Sequence, residues 1–453
     1  MEITKQFAKF IVNCTYESLP KDVQETVKER ILDTVGAAVA GEHSWKGKEA
    51  YLQAARELYP GTLAPWGSGE KSFSLGAVLT TNCAYAHAVE LDDGHKNGGC
   101  HTGAVVVPMA LTLGAVLGRR PQEIMTAIVL GYEITYRILE QLPPTQIGRG
   151  FYPSSQLDVF GAATVAGKLY GLDEEQMANA LGFAGQQTAG FMEITVNGKE
   201  DKCIQVGSCA AKGLAAAIYA REGLKGCLTV LEGKNGFFRA EGKDIDLEKV
   251  TAGLGKEFRI RDTYSKLYPM CRHAQAPVEA VLDFLEEGAF QPEDVVKIWV
   301  GTHQVAYNLT GAIKEPHSQS DSKFSIAYGI AAALRDRCFG MKHLTPAYYE
   351  NPELWKLAHK VTVEVDPQVQ SVYPGKRGAL VKVTLKDGRV CTRELYDLKA
   401  SPNNPVGWDI IVQKYTNNME GILPENVTKK ILDTVSHFEQ EYSSQGLERL
   451  LHC

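Results

Sequence analysis

The sequence predicts a mostly α protein, with a large all-helical domain assembled from both chain ends and a smaller α+β domain inserted between them. Three observations predict it. From Thr4 to about Arg261 apolar residues recur at helical spacing; strand-like alternation begins only after about Lys266; a helical pattern returns from about Asn404. The expected division is residues 1–265 with 400–453 for the helical domain and 266–399 for the α+β domain. At 453 residues, 44% of them hydrophobic, the chain exceeds what one core usually supports, so two or three folding units are expected.

The elements follow in order. Met1 to Phe10 reads as an amphipathic helix and lacks the long apolar core and small-residue cleavage site of a secretory signal. Leu32, Val35, Gly36 and Val39 mark one apolar helical stripe. The longest apolar run, Gly103 to Gly118, is interrupted by Pro108 and is too short to span a bilayer, so a buried helix is expected. Pro121 opens another helix at the first-turn position that proline favours. Asp173 with Gln176 three residues later forms a capping-box pattern. The segments around Gly161-Ala-Ala and Ala210-Ala-Lys-Gly carry small residues on every face, which suits helices buried centrally among close neighbours. Beyond Lys266, Val295–Val300 and Val361–Val365 read as strands. Leu380–Leu385 and Val390–Leu395 read as a hairpin turning at Asp387-Gly388, and Phe324–Arg335 reads as a helix.

Composition narrows the function classes. A net charge of −6, with no basic block or arginine–aromatic stripe, argues against nucleic acid and membrane surfaces as partners. Ten cysteines without a CxxC pair predict reduced thiols, and a cytoplasmic location is expected. Gly67-Ser-Gly-Glu-Lys-Ser resembles a phosphate loop, but Glu70 stands where a glycine is required. Gly148-Arg-Gly lacks the spacing of a dinucleotide fingerprint. Nucleotide cofactors are therefore not expected.

The chemically richest window is Glu90-Leu-Asp-Asp-Gly-His95, with His101 following. Paired carboxylates and imidazoles in a glycine-rich loop between helices can tune each other toward neutral pH, as acid–base work requires. Four further windows carry polar groups: Gly148–Ser155, Asn197–Gly207 with Lys202 and Gln205, Lys266–Gln275, and Lys323–Tyr328. Taken singly, each is a weak signal, and a surface lysine or a core tyrosine is the commoner reading. A metal-dependent hydrolase using His95, Cys100, His101, Cys271 or His273 is a rival, although the spacings match no standard zinc pattern. A non-catalytic binding protein is another.

In order along the chain, these windows resemble one family. The resemblance rests on Ile31-Leu-Asp-Thr-Val-Gly, Asn82 with His87 and Leu91-Asp-Asp, and Arg149-Gly-Phe with Gly161-Ala-Ala. It continues through Leu231-Glu-Gly, Gly236-Phe-Phe, Tyr268-Pro-Met-Cys-Arg and the stretch Lys399 to Pro405. The chain is similar to the MmgE/PrpD family, which includes 2-methylcitrate dehydratase, cis-aconitate decarboxylase and iminodisuccinate epimerase. The resemblance implies a large helical domain, a smaller α+β lid domain, a site in the cleft between them, a homodimer, and no metal or organic cofactor.

Carried over by position, the family's site residues become Asp93, His101, Lys202 and Tyr328. Three places depart from the family pattern: Tyr152, Gln205 and Gln275 stand where it has histidines. These changes disfavour a tricarboxylate and point to a smaller or less charged acid. The expected chemistry is removal of a proton next to a carboxylate by His101 or Lys202, with Asp93 orienting His101. Tyr152 or Tyr328 is expected to supply a proton. His95, Gln205, Arg272, His273 and Gln275 are expected to contact substrate. Elimination of water is the first expectation; epimerisation or decarboxylation of a small carboxylic acid comes second.

Overall fold

The computed structural model describes residues 2–96, 98–142, 149–195, 200–242 and 245–452. It divides into two compact units. Met1–Ala88, Asp92–Ser265 and Gly407–Cys453 form one, and Val89–Leu91 with Lys266–Val406 form the other. Gly148 and Asn197–Lys199, named in two of the sequence windows, lie outside the described residues.

The first unit is built on six long helices: Lys21–Ser44, Leu75–Ala88, Gly103–Val116, Pro121–Leu139, Pro153–Tyr170 and Asp201–Arg221. Small residues set how closely they pack. Asp201–Arg221 lies against both Leu75–Ala88 and Pro153–Tyr170. A Cβ at Gly213 would sit 2.5 Å from the backbone nitrogen of Ala163, so only glycine permits that approach. Among the described helices, Asp201–Arg221 alone has the length and apolar composition of a membrane span, and here it serves as a core helix. Gly103–Val116 is buried from Gly103 through Ala115, as its apolar composition demands.

The predicted local signals are present. The N-terminal helix, Ile3–Asn13, buries Ile3, Phe7, Ala8 and Ile11 along one face. Pro121 occupies the first turn of its helix, and Asp173 and Gln176 exchange the two capping-box hydrogen bonds. The unit also contains a short antiparallel pair, Gly94–His95 with Thr263–Tyr264, which helical periodicity did not reveal. From the C-terminal segment, Trp408–Met419 packs on Lys21–Ser44 and buries Ile411, Tyr415 and Met419.

The second unit holds a four-stranded sheet in the order Val361–Val365, Val295–Thr302, Ala379–Leu385, Val390–Leu395. The first two strands run parallel, and the other neighbours are antiparallel. Val381, Val383 and Leu385 alternate inward, as period-two patterning predicts. The helix Arg272–Glu286 packs on the Ala379–Leu385 strand and against the helix Ile326–Asp336.

Candidate active site

The Leu75–Ala88 helix ends by delivering His87, and the Gly103–Val116 helix begins two residues after His101. Between them, Asp92 ties the two imidazoles together. His87 Nδ1 lies 2.7 Å from Asp92 Oδ2, and His101 Nδ1 lies 3.2 Å from the same oxygen. His101 Nδ1 is also 2.7 Å from the Asp93 carbonyl oxygen. Both neighbours of that nitrogen accept, so Nδ1 carries the hydrogen and the neutral ring keeps its lone pair on Nε2. The His101 backbone N–H donates to Ser154 Oγ at 2.7 Å, which fixes the loop from the Pro153–Tyr170 helix. Asp158, one turn along that helix, accepts from Thr102 at 2.7 Å.

His87 is a neutral group. Burial holds it down to about 4, against the pull of Asp92 and with Lys202 pushing the same way as burial. With its hydrogen on Nδ1, its Nε2 accepts from the Tyr152 hydroxyl at 3.3 Å. The Lys202 ammonium lies over the Tyr152 ring, 5.9 Å from its centre. Gln205, three residues further along the same helix, shares the face of Lys202. Tyr152 thus contacts His87, which is bonded to Asp92, and Lys202; the sequence expectation joined Tyr152 with Lys202 but left His87 and Asp92 out of the site.

Asp93 does not orient His101 with its carboxylate, contrary to the sequence expectation. Its Oδ2 accepts from Tyr132 Oη at 2.5 Å and its Oδ1 from the Gly103 N–H at 3.2 Å. A Cβ at position 103 would stand 2.3 Å from Tyr132 Oη and 2.5 Å from Asp93 Oδ1, so glycine makes room for this arrangement. Burial raises the Asp93 carboxyl to about 7, against Arg30 and Tyr132. Beneath it, Arg30 Nη1 donates to Ser265 Oγ at 2.9 Å, Ser265 donates to Asp33 at 2.7 Å, and Lys414 donates to the other Asp33 oxygen. What Asp93 offers His101 is its backbone carbonyl; the carboxylate contact comes from Asp92.

Other expected site residues go elsewhere. His95 is fully buried, its Nε2 3.3 Å from Glu140 and its ring 4.6 Å from that of Tyr136, which makes it a core group of the helical unit. In the smaller unit, Tyr328 is buried and its hydroxyl donates to the His343 carbonyl at 2.8 Å, so its proton serves the fold. Gln275 is also committed: its amide donates to the Tyr268 and Met270 carbonyls at 3.0 and 3.1 Å, and its oxygen accepts from Arg272. A side chain so occupied braces the turn and has no donor left for substrate.

Several groups were not identified as site residues from sequence. Lys266 is fully buried and pairs with Glu90 at 2.8 Å. Glu90 holds φ at +57°, a conformation non-glycine residues rarely adopt. His303, also not singled out from sequence, places Nε2 3.3 Å from Nδ1 of His273, which was expected to contact substrate. The five-residue spacing of His87 and Asp92 was a usable signal; the pairings of Lys266 with Glu90 and His273 with His303 were not, because they span the chain.

Two groups of ligand atoms come together among the described residues: His87, Asp92 and His101, and His95, Glu140 and Asp262, each set within 4.8 Å. In the first, the 2.7 Å gap between His87 and Asp92 is bridged well by a hydrogen and is shorter than two tetrahedral zinc ligands would show. In the second, Arg259 and Lys96 already pair with Glu140 and Asp262. A cavity of about 480 Å³ lined by Leu63, Lys71, Val78, Arg449 and His452 contains none of the groups described above.

Comparison with known proteins follows the same lines. A family model described as the MmgE/PrpD N-terminal domain matches residues 5–249, and one described as the MmgE/PrpD C-terminal domain matches residues 268–440. A cis-aconitate decarboxylase from Aspergillus terreus is 28% identical over the whole of this chain and 96% of its own length. A cis-aconitate decarboxylase from Homo sapiens is 24% identical over 99% of this chain and 94% of its own length.

Proposed function

The chain belongs to the MmgE/PrpD family, and from that premise we propose that it is a lyase acting on a small carboxylic acid by proton transfer beside a carboxylate. One observation carries the chemistry. Asp92 and the Asp93 carbonyl hold the hydrogen of His101 on Nδ1, which makes Nε2 the proton-transfer atom. Lys202 is the cation for a substrate carboxylate. Tyr152, with its hydrogen directed to His87, offers its oxygen lone pairs to a substrate hydroxyl. This revises the proton-donor role expected for Tyr152. His87 resists protonation, so it orients the phenol and does not store its proton.

Decarboxylation is the reading we favour, because relatives matched over more than nine-tenths of their length carry that name. The bond to the departing carboxylate breaks, its electron pair passes to carbon, and Nε2–H of protonated His101 supplies the proton. Elimination of water is a second reading, favoured by the lone pairs of Tyr152. There, neutral Nε2 removes the C–H proton, the electron pair forms the alkene, and hydroxide leaves. Incubation with cis-aconitate, citrate and smaller hydroxy and unsaturated acids in D₂O, followed by NMR, tests both. Release of CO₂ with deuterium on carbon supports decarboxylation; an alkene without CO₂ supports elimination; inversion without net change marks an isomerase. No turnover and no exchange across that panel would overturn the lyase proposal.

A further inference from the structure

We infer that Asp158 is a positioning residue of the site: with one oxygen it grips both chain neighbours of His101, and it acts there as a hydrogen-bond acceptor rather than as a charge. The role of His101 rests on the proposed lyase reading; the grip on its neighbours does not.

The starting point is a helix cap that is not made. Thr102 directly precedes the helix Gly103–Val116, where a threonine hydroxyl ordinarily accepts from a free N–H of the first turn. Here it makes no such bond and donates to Asp158 Oδ1 at 2.7 Å instead. Cys100, on the other side of His101, donates its thiol hydrogen to the same oxygen at 3.2 Å. Burial and the nearby Asp158 push the Cys100 thiol well above its ordinary value, so it keeps that hydrogen. One turn earlier on the Asp158 helix, Ser154 Oγ accepts from the His101 N–H at 2.7 Å and donates to the Gly99 carbonyl at 3.4 Å. Every residue from Gly99 to Thr102 is thus held by two side chains four apart on one helical face. Cys100 and Thr102 turn onto Asp158, and His101 between them turns toward Asp92 and the Asp93 carbonyl.

Packing gives no reason for an acid at this place. Asp158 is fully buried inside a helix of small and apolar residues, where aspartate has poor helix propensity and a large desolvation cost. Its second oxygen, Oδ2, is buried without a hydrogen-bond partner among the described residues. Burial raises the carboxyl to about 7, against the donors Thr102 and Cys100. Below neutrality the proton therefore resides on Oδ2, and Oδ1 is the oxygen left to accept from both neighbours. Asparagine presents the same oxygen at the same place. Leucine presents none.

The test uses the full chain labelled with ¹⁵N-histidine and a two-bond ¹H–¹⁵N correlation at about pH 8. The His101 signals are assigned by their absence in His101→Gln. Wild type and Asp158→Asn should both show the Nδ1–H tautomer of His101. In Asp158→Leu the segment loses its grip, and the ratio of Nδ1–H to Nε2–H should fall roughly tenfold. Thr102→Val keeps the shape, removes the shorter bond, and should move the ratio the same way by about threefold. It decides the matter where Asp158→Leu does not fold. A folded Asp158→Leu or Thr102→Val protein that keeps the wild-type ratio overturns the inference, whatever its stability. So does an Asp158→Asn protein that behaves like the leucine variant, or a wild-type ring in the Nε2–H form. With an acid that turns over, Asp158→Leu should lower kcat at least roughly tenfold and leave KM within about twofold, because Lys202 stands on a different helix. A loss confined to KM overturns the positioning role. The expected tautomers without turnover of any acid remove the lyase reading and keep this one.

Discussion

At the scale of single residues, the site is organised by one carboxylate oxygen. Asp92 Oδ2 accepts the His87 Nδ1 hydrogen and lies 3.2 Å from His101 Nδ1, whose hydrogen goes to the Asp93 carbonyl, and this selects the atom that each ring presents outward. Decarboxylation and elimination then need opposite states of the same nitrogen. A decarboxylase that uses protonated His101 loses activity as pH rises; a dehydratase that uses neutral His101 loses activity as pH falls. In His101→Gln that limb of the kcat/KM profile should vanish along with most of the rate, and survival of both would remove His101 from the mechanism. Lys202→Met should abolish turnover with little loss of stability, checked by kinetics beside thermal unfolding.

Asp93 gives a prediction about stability with a defined sign. Its folded carboxyl is raised to about 7 from an ordinary value of 3.8, so the folded state favours the protonated form. The unfolded chain releases that proton first, and folding loses stability progressively as pH climbs from about 4 to 7. Asp93→Asn lacks this penalty. Relative to wild type, the variant should gain stability over that window by an amount on the order of a few kcal/mol, read from urea melts at several pH values. An unchanged difference between the two proteins across the window would contradict the raised carboxyl.

At the scale of elements, helix contacts position chemistry that lies elsewhere in the chain. The Trp408–Met419 helix brings Lys414 to Asp33 on the Lys21–Ser44 helix, and Arg30 and Ser265 complete the network under Asp93. Replacing Lys414 with Met leaves a buried carboxylate short of its cation and should cost roughly 3 kcal/mol, measured by denaturant unfolding. Gly213→Leu tests the close packing of Asp201–Arg221 on Pro153–Tyr170. Its side chain would meet the Ala163 backbone, which cannot yield as a flexible side chain can. The variant should lose roughly 1–3 kcal/mol and shift Lys202, which rides on the same helix, so activity should fall with stability. Wild-type stability in that variant would mean the two helices have room to part.

At the scale of the whole molecule, structural and family divisions differ. The C-terminal family match runs to residue 440, whereas the segment from Gly407 onward belongs to the helical unit. A chain ending at Val406 loses Lys414 together with the buried Ile411, Tyr415 and Met419. It should fail to form the helical unit, while a chain cut only after Tyr442 should fold; cooperative unfolding of the shorter chain would overturn this. The family resemblance also supports the proposal of a homodimer, for which sedimentation at twice the mass of the chain is expected and a monomer would count against it.

Much of this protein was determined by its sequence alone. Hydrophobic period distinguishes the helices from the strands of the smaller unit, and Pro121, the Asp173–Gln176 box and Asp387-Gly388 mark local boundaries. Such signals are legible because their physics acts over a few residues. The chemical window from Glu90 to His101 was legible for the same reason. Only tertiary structure decided which acid serves His101. Asp92 and Asp93 are adjacent and alike in type, and only the positions of Tyr132 and the Gly103 N–H draw Asp93 away from the ring. The same holds for Tyr328 and Gln275, whose polar atoms are claimed by backbone carbonyls that composition cannot reveal. A residue type states what a side chain can donate or accept; the packed chain decides which partner comes within 3 Å of it first.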